Sequence, residues 1–252
     1  MKSVNYKALG VSKKRKLLER PSVNMSKSFS AVKPILEEVK KNGLTGALKY
    51  ARMFDGFKGK RARVSISDIE NSEHKVSNKY KRAVKTAVKN IERFHINQRP
   101  KKYLVETMPG IKCSREFKAI ENVGLYIPGG TALLPSTLMM LAVPALIAGC
   151  KRIVVCTPSD KDISPEILYV AKFLEIQEIY KLGGAQAIGL MAYGSGKIKK
   201  VDKIFGPGNQ FVTAAKALVS IDPKGCAIDM IAGPSEVLII ADESAKADFV
   251  AA

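Results

Sequence analysis

NVGLYIPGG, residues 122–130, joins a short apolar run to a turn of one proline and two glycines, and the residues after it, 131–148, are helix-like. Pro135 marks the start of that helix and Pro144 a kink or break in it. The same grammar recurs downstream. Arg152 to Cys156 (RIVVC) is the continuous β-branched run of a buried parallel strand, and Pro165 to Leu174 follows as a helix with Ser164 at its N-cap and proline at its first position. Glu178 to Leu182 is a strand that turns through LGG (182–184) into a helix over Ala185 to Tyr193, and Lys203 to Phe205 turns through FGPGN (205–209) into a helix over Gln210 to Ser220. Four β-α units in about a hundred residues imply an α/β fold built on a doubly wound parallel sheet with right-handed crossovers. A last turn, AGPSE (232–236), leads into an expected strand from Val237 to Ile240.

Ligands of such open sheets bind at the carboxyl ends of the strands, in the loops that enter helices. Glycine lets the backbone approach a ligand there, and the helix start offers free N–H groups to an anion. The side chains placed at these turns, Tyr126, Gln186, Asn209 and Ser235, are uncharged hydrogen-bonding groups suited to a ribose, an amide or a small polar substrate. Ordinary βα turns with no ligand are the competing reading. GxGxxG is absent after the first strand, so the spacing alone does not name a dinucleotide.

The half before this block reads as mostly helical. Tyr80, Ala83, Val84, Ala87, Val88, Ile91 and Phe94 form an i, i+3, i+4, i+7 stripe with lysines opposite. Val32, Ile35, Leu36 and Val39 form a second stripe, stopped by Gly43, and Leu44 to Phe54 a third, stopped at Asp55-Gly56. Ser67 and Glu70 have capping-box spacing. His95 borders an apolar stripe, where packing is the expected role rather than ligation.

Charge is divided unevenly: 30 basic and 10 acidic side chains up to Lys118, then 12 and 13 from Ala119 onward. Solvated, lysine-rich helix faces account for the excess, since no aromatic residues interleave with the lysines as a base-stacking surface needs. Nucleic-acid binding is therefore disfavoured. The cluster Lys13, Lys14, Arg15, Lys16 keeps a basic polyanion-binding protein as an alternative.

No apolar run is long enough for a membrane span, and the N-terminus has no apolar core of a secretory signal. The four cysteines, 37, 6 and 70 residues apart, fit neither a redox pair nor a zinc knuckle, so a reducing cytoplasm is the expected compartment. His74 and His95 are the chain's two histidines, too few for a multi-histidine metal site.

NVGLYIPGG, EIYKLGGAQAI, VDKIFGPGNQFVTAAK and IDMIAGPSEVLIIAD, with GALKYARMFDGF and NIERFH upstream, resemble histidinol dehydrogenase over nearly the whole chain from about residue 20. The resemblance implies an aldehyde-dehydrogenase-like architecture and a zinc- and NAD-dependent homodimer that oxidises L-histidinol through L-histidinal to L-histidine. By position, Tyr126, Gln186 and Asn209 correspond to NAD-binding residues and Ser235 to a substrate-binding residue. The implied domains are 1–122, the basic helical part of a first domain; 123–232, the NAD-binding insert; and 233–252, the return into the first domain. In the family the AGPSE segment leads into a QAEH motif and later Glu-His, aspartate and histidine positions that bind zinc and move protons. This chain ends at Phe249-Val250-Ala251-Ala252, so no catalytic or metal residue is carried over, and such residues are expected after Ala252. The reading is a histidinol dehydrogenase sequence cut short, with a non-catalytic NAD-binding or assembly component needing a separate C-terminal half as the alternative.

Overall fold

The computed structural model describes residues 6–19, 25–129, 134–196, 198–231 and 239–251. Its first helix, α1 (Val11–Leu18), follows a 3-10 turn at Tyr6–Ala8 and buries no side chain. Residues Met25–Ile231 form one compact unit, and the chain on either side of it, Met1–Asn24 with Ala232–Ala252, forms another.

The larger unit is organised by a five-stranded parallel sheet. In chain order its strands are β3 (Asn122–Tyr126), β4 (Arg152–Thr157), β5 (Glu178–Lys181), β6 (Lys203–Phe205) and β7 (Ala227–Ile228), after a separate antiparallel hairpin of β1 (Tyr103–Met108) and β2 (Ile111–Arg115). Their spatial order is β5-β4-β3-β6-β7. The first strand of the sheet thus lies between the second and the fourth, and the connection reverses direction between β3 and β6. Helices α5 (Pro135–Ala148), α6 (Pro165–Phe173), α7 (Gly184–Tyr193) and α8 (Gln210–Ile221) make the crossovers, as the four expected β-α units require. Pro135 opens α5, but Pro144 does not end it; the helix runs on to Gly149, whose φ of 88° suits a left-handed stop.

Side chains alternate across the sheet because successive residues of a strand point to opposite faces. Val123, Leu125, Val155 and Ile179 face a core closed by α5 and α6, whereas Tyr126, Val154, Cys156, Tyr180 and Ile204 face one closed by α7 and α8. The helices before residue 122 complete both layers. α2 (Ser26–Phe54) packs on the second face through Val32, Ile35, Leu36 and Val39, while α3 (Ile66–Asn71) and α4 (Asn78–His95) cover the first with Ile69, Val84 and Val88.

Two sequence expectations resolve into local geometry. α2 is two helical segments, 26–42 and 44–54, because Gly43 adopts φ 54°, ψ −129°, and the chain turns sharply enough to bring Gly46 against the Glu38 carbonyl. The Leu44 N–H freed at this break donates to Ser195 Oγ at 2.8 Å. Capping at α3 falls two residues earlier than expected: Ser65, not Ser67, accepts from Asp68 N at 3.1 Å, and the Asp68 carboxylate accepts the Ser65 hydroxyl proton at 2.6 Å. Asp68, at the third helical position, thus meets the Ser65 hydroxyl and not the Ser65 backbone N–H that the glutamate of a capping box would reach.

The strand expected at 237–240 is not formed at Ile239 and Ile240, which are exposed and pair with no other strand; residues 232–238 lie outside the described residues. A strand needs a ladder partner, and among the described residues none pairs with this segment. The chain then enters the short helix α9 (Ala247–Ala251).

At the amino edge of the sheet Arg152 clamps β4 to β5. Its guanidinium donates to both carboxylate oxygens of Glu178, at 2.8 and 2.7 Å, and to the Lys199 carbonyl at 2.9 Å. Burial alone would raise the Glu178 pKa, but hydrogen bonds from Arg152 and Tyr180 and the charges of Arg152 and Arg63 outweigh it and hold the pKa below its ordinary value. A depressed native pKa stabilises the fold above the ordinary glutamate range and ceases to do so as the pH falls through the native value. Glu178→Gln is therefore expected to cost about 1 to 3 kcal/mol at neutral pH. In urea denaturation the gap to the unaltered chain should close once the medium is acid enough to protonate Glu178.

Candidate functional site at the carboxyl ends of the strands

The reversal between β3 and β6 places the crevice of an open α/β sheet beside the carboxyl ends of these two strands. Here the backbones come together tightly. Gly206, just past β6, has φ 128°, and a Cβ on it would lie 2.2 Å from the Tyr126 carbonyl oxygen at the end of β3. No other residue type fits that contact without moving a strand.

Both polar groups of the Gly206 peptide positions are held by one ion pair. Asp229 accepts from Gly206 N at 2.9 Å, Lys216 donates to Gly206 O at 2.9 Å, and the Lys216 ammonium pairs directly with the Asp229 carboxylate. Lys216 is 4% exposed, so the charge it brings into the core is compensated by Asp229 and by the carbonyl. The clamp fixes the turn that carries Asn209. Asn209 itself caps α8, its Oδ1 accepting from Phe211 N at 3.0 Å and Val212 N at 3.1 Å, which leaves its Nδ2 as the atom able to donate to a ligand.

Tyr126 and Gln186 meet at the start of α7. Tyr126 Oη accepts from Gly184 N at 3.0 Å, and Gln186 lies against Gly184 so closely that a Cβ there would come within 2.8 Å of Gln186 Oε1. Both side chains are buried. Burial pushes the Tyr126 phenol up to about 12; the Gly184 N–H opposes this rise and the Asp55 charge adds to it. At neutral pH the group is a phenol whose O–H can donate while its oxygen accepts from the backbone. Asp55 comes to the same place from the end of α2, accepting from Gln186 Nε2 at 3.0 Å and from Gly183 N at 3.2 Å.

The structure thus brings Tyr126 and Gln186 together and sets Asn209 on the neighbouring turn, which Gly206 joins to Tyr126. Ser235 lies outside the described residues. Sequence reading missed Asp55, taken there as a helix stop, and the Lys216–Asp229 pair. A lysine within the apolar helix VTAAKALV was the available signal for the latter.

Neither histidine joins this region: His74 is exposed, and half-buried His95 bonds through Nδ1 to Gln98 Oε1 at 2.7 Å and packs edge-on against Phe94. Among the described residues no three His, Cys, Asp or Glu side chains gather where a metal ion could be held, so zinc does not fit them. A cavity of about 580 Å³, lined by His95, Arg99, Phe117, Lys118, Met140 and Pro144 among others, is mostly apolar and is lined by none of Tyr126, Gln186 and Asn209. No helix among the described residues is long and apolar enough to cross a membrane.

A parallel sheet of this order, reversing at its first strand and covered by helices on both faces, defines the doubly wound class of α/β proteins. The family model for histidinol dehydrogenase matches residues 18–252, and the chain belongs to that family. Histidinol dehydrogenase of Aliivibrio fischeri (strain ATCC 700601 / ES114) is 49% identical over 253 residues, covering 100% of this chain and 57% of the relative. That of Escherichia coli (strain K12) is 46% identical over 249 residues, covering 98% and 57%. The crystal structure of histidinol dehydrogenase from Elizabethkingia anophelis superimposes with a TM-score of 0.86 at 44% identity, covering 96% of this chain and 56% of that one. The chain therefore spans somewhat more than half the length of the relatives it matches.

The clamp makes a specific prediction for stability. Lys216→Met leaves Asp229 without its cation and should cost about 2 to 3 kcal/mol, below the range for a fully buried pair because Asp229 keeps some access to solvent. Combined with Asp229→Asn, the loss should be smaller than the sum of the two single losses, read from urea midpoints of all four chains.

Proposed function

We propose that these residues form the cofactor-binding part of an enzyme that oxidises L-histidinol through L-histidinal to L-histidine, with NAD accepting hydride in each step. The observation that carries this reading is the 49% identity to the Aliivibrio fischeri enzyme across the entire chain. In it, residues 123–232 are the NAD-binding domain, flanked by residues 1–122 and 233–252 of a first domain. Family membership also favours a homodimer working in the cytoplasm.

Bound NAD supplies the hydride acceptor, and this chain supplies its seat. Tyr126 offers an O–H, Gln186 an amide and Asn209 an Nδ2 donor, all three uncharged at neutral pH. They suit the ribose hydroxyls and carboxamide of a dinucleotide. Ser235 is the candidate contact to substrate.

Oxidation of an alcohol also needs a base for the hydroxyl proton, and oxidation of the aldehyde needs an activated water. Tyr126, with its pKa raised by burial, is a poor base at neutral pH, and neither amide can serve. The 252 residues alone are accordingly expected to bind NADH and to leave histidinol unoxidised, even with added zinc. Tyr126→Phe should weaken NADH about ten-fold, the loss of one buried hydrogen bond. Fluorescence titration with NADH and an assay of histidinol-dependent NADH formation check both statements. The assay should be repeated with the remaining portion of a relative's sequence supplied as a second chain, where turnover should appear. Absence of NADH binding would refute the cofactor assignment, and turnover by the single chain would refute the division of labour.

A further inference from the structure

Asp55 is the acidic side chain at the junction of Gly183, Gln186 and Tyr126, and it reaches that junction from outside the β-α block. α2 ends at Phe54, Asp55 is its C-cap, and Gly56 at φ 64° turns the chain away, with Phe57 N returning to the Ala51 carbonyl at 3.2 Å. The turn holds the carboxylate over the start of α7. There its Oδ2 accepts from both Gly183 N and Gln186 Nε2. Glycines at 183 and 184 make room for it: a Cβ on Gly183 would sit 3.1 Å from Asp55 Oδ2 and 2.5 Å from Pro158 Cβ, and one on Gly184 would strike the Gln186 amide.

A carboxylate can only accept, so the amide nitrogen of Gln186 must face Asp55. With one Nε2–H committed in this way the amide cannot flip, and Oε1 is held on the side away from Asp55, where it calls for a donor such as a ribose hydroxyl or a carboxamide N–H. The same carboxylate makes the start of α7 a poor seat for phosphate, because a negative charge already occupies it and two of its backbone donors, Gly183 N and Gly184 N, are taken by Asp55 and Tyr126. Burial raises the Asp55 pKa, against the hydrogen bonds from Gly183 and Gln186, a cost borne by a carboxylate that surface exposure would have avoided.

We propose that Asp55 is a positioning residue of the cofactor site, which fixes the Gln186 amide with Oε1 presented to a hydrogen-bond donor of the dinucleotide. The inference rests on the reading of these turns as an NAD site. It is tested by titrating NADH into the unaltered chain, Asp55→Ala, Asp55→Asn, Gln186→Ala and the double variant Asp55→Ala/Gln186→Ala, each with a thermal melt. Asp55→Ala removes both hydrogen bonds and should weaken NADH about ten-fold. Asp55→Asn, whose amide oxygen can take the place of Oδ2, should recover most of that loss. In the Gln186→Ala background the Asp55→Ala substitution should change affinity less than two-fold, since nothing remains for it to orient.

A merely structural Asp55 would lower the melting temperature and leave these ratios alone. If the alanine variant does not fold, Asp55→Glu keeps the charge but displaces its oxygens by a methylene, and should weaken NADH too. Unchanged NADH affinity in folded Asp55→Ala or Asp55→Glu, or an undiminished effect without Gln186, overturns the proposal while the cofactor site stands. Failure of the unaltered chain to bind NADH overturns both.

Discussion

Gly189 in the middle of α7 sets how the two halves of the larger unit meet. A Cβ at this position would lie 3.1 Å from Leu36 Cδ2 and 3.3 Å from Val39 Cβ, so α2 approaches α7 as closely as side chains on only one of the helices permit. Close approach maximises dispersion contacts at a helix crossing and excludes water from it. The same pair of helices is tied again where Leu44 N meets Ser195 Oγ and where Asp55 meets Gly183. Three ties along one helix leave α2 little freedom to shift. A segment remote in sequence from the sheet thereby becomes part of its carboxyl edge.

That dependence explains why the region is built largely from uncharged groups with fixed partners. Gln186 and Asn209 each spend one hydrogen-bonding atom on the protein and keep another, and the Tyr126 oxygen that accepts from Gly184 N can still donate through its O–H. A side chain anchored by one atom loses little further freedom when the other meets a ligand, which limits the ordering cost of binding. The glycines act in the same sense. Gly206 lets the Tyr126 backbone come close, and Gly184 leaves room for the Gln186 side chain.

Much of the sheet was legible in the sequence because its signals are local. RIVVC, the Ser164-Pro165 helix start and the breaks at Gly43 and at Asp55-Gly56 depend on steric and capping rules that act over a few residues. The hairpin at Tyr103–Arg115 went unread, although Pro109-Gly110 between two alternating runs is a turn signal; all of its residues are exposed, so no burial pattern marked it. Turn positions told where Tyr126, Gln186 and Asn209 would stand. They could not tell that Asp55 would join Gln186 across 131 residues of chain, because that contact follows from the α2–α7 packing and from no spacing in the sequence.

The distribution of charge has a related logic. Lysines and arginines dominate the surface of the first half, yet the charged groups that enter the interior come in satisfied combinations: Lys216 with Asp229, Arg152 with Glu178, Asp55 with two N–H donors. Each one bridges elements that the hydrophobic core would leave free to slide, β6 to β7 and α8, β4 to β5, α2 to α7. Burial of apolar area has no direction, whereas these contacts fail if a partner moves by an ångström. The core holds the layers together, and the ion pairs and carboxylate contacts set their register. It is the second task that holding Asp55, Tyr126, Gln186 and Asn209, which come from separate segments of the chain, in place requires.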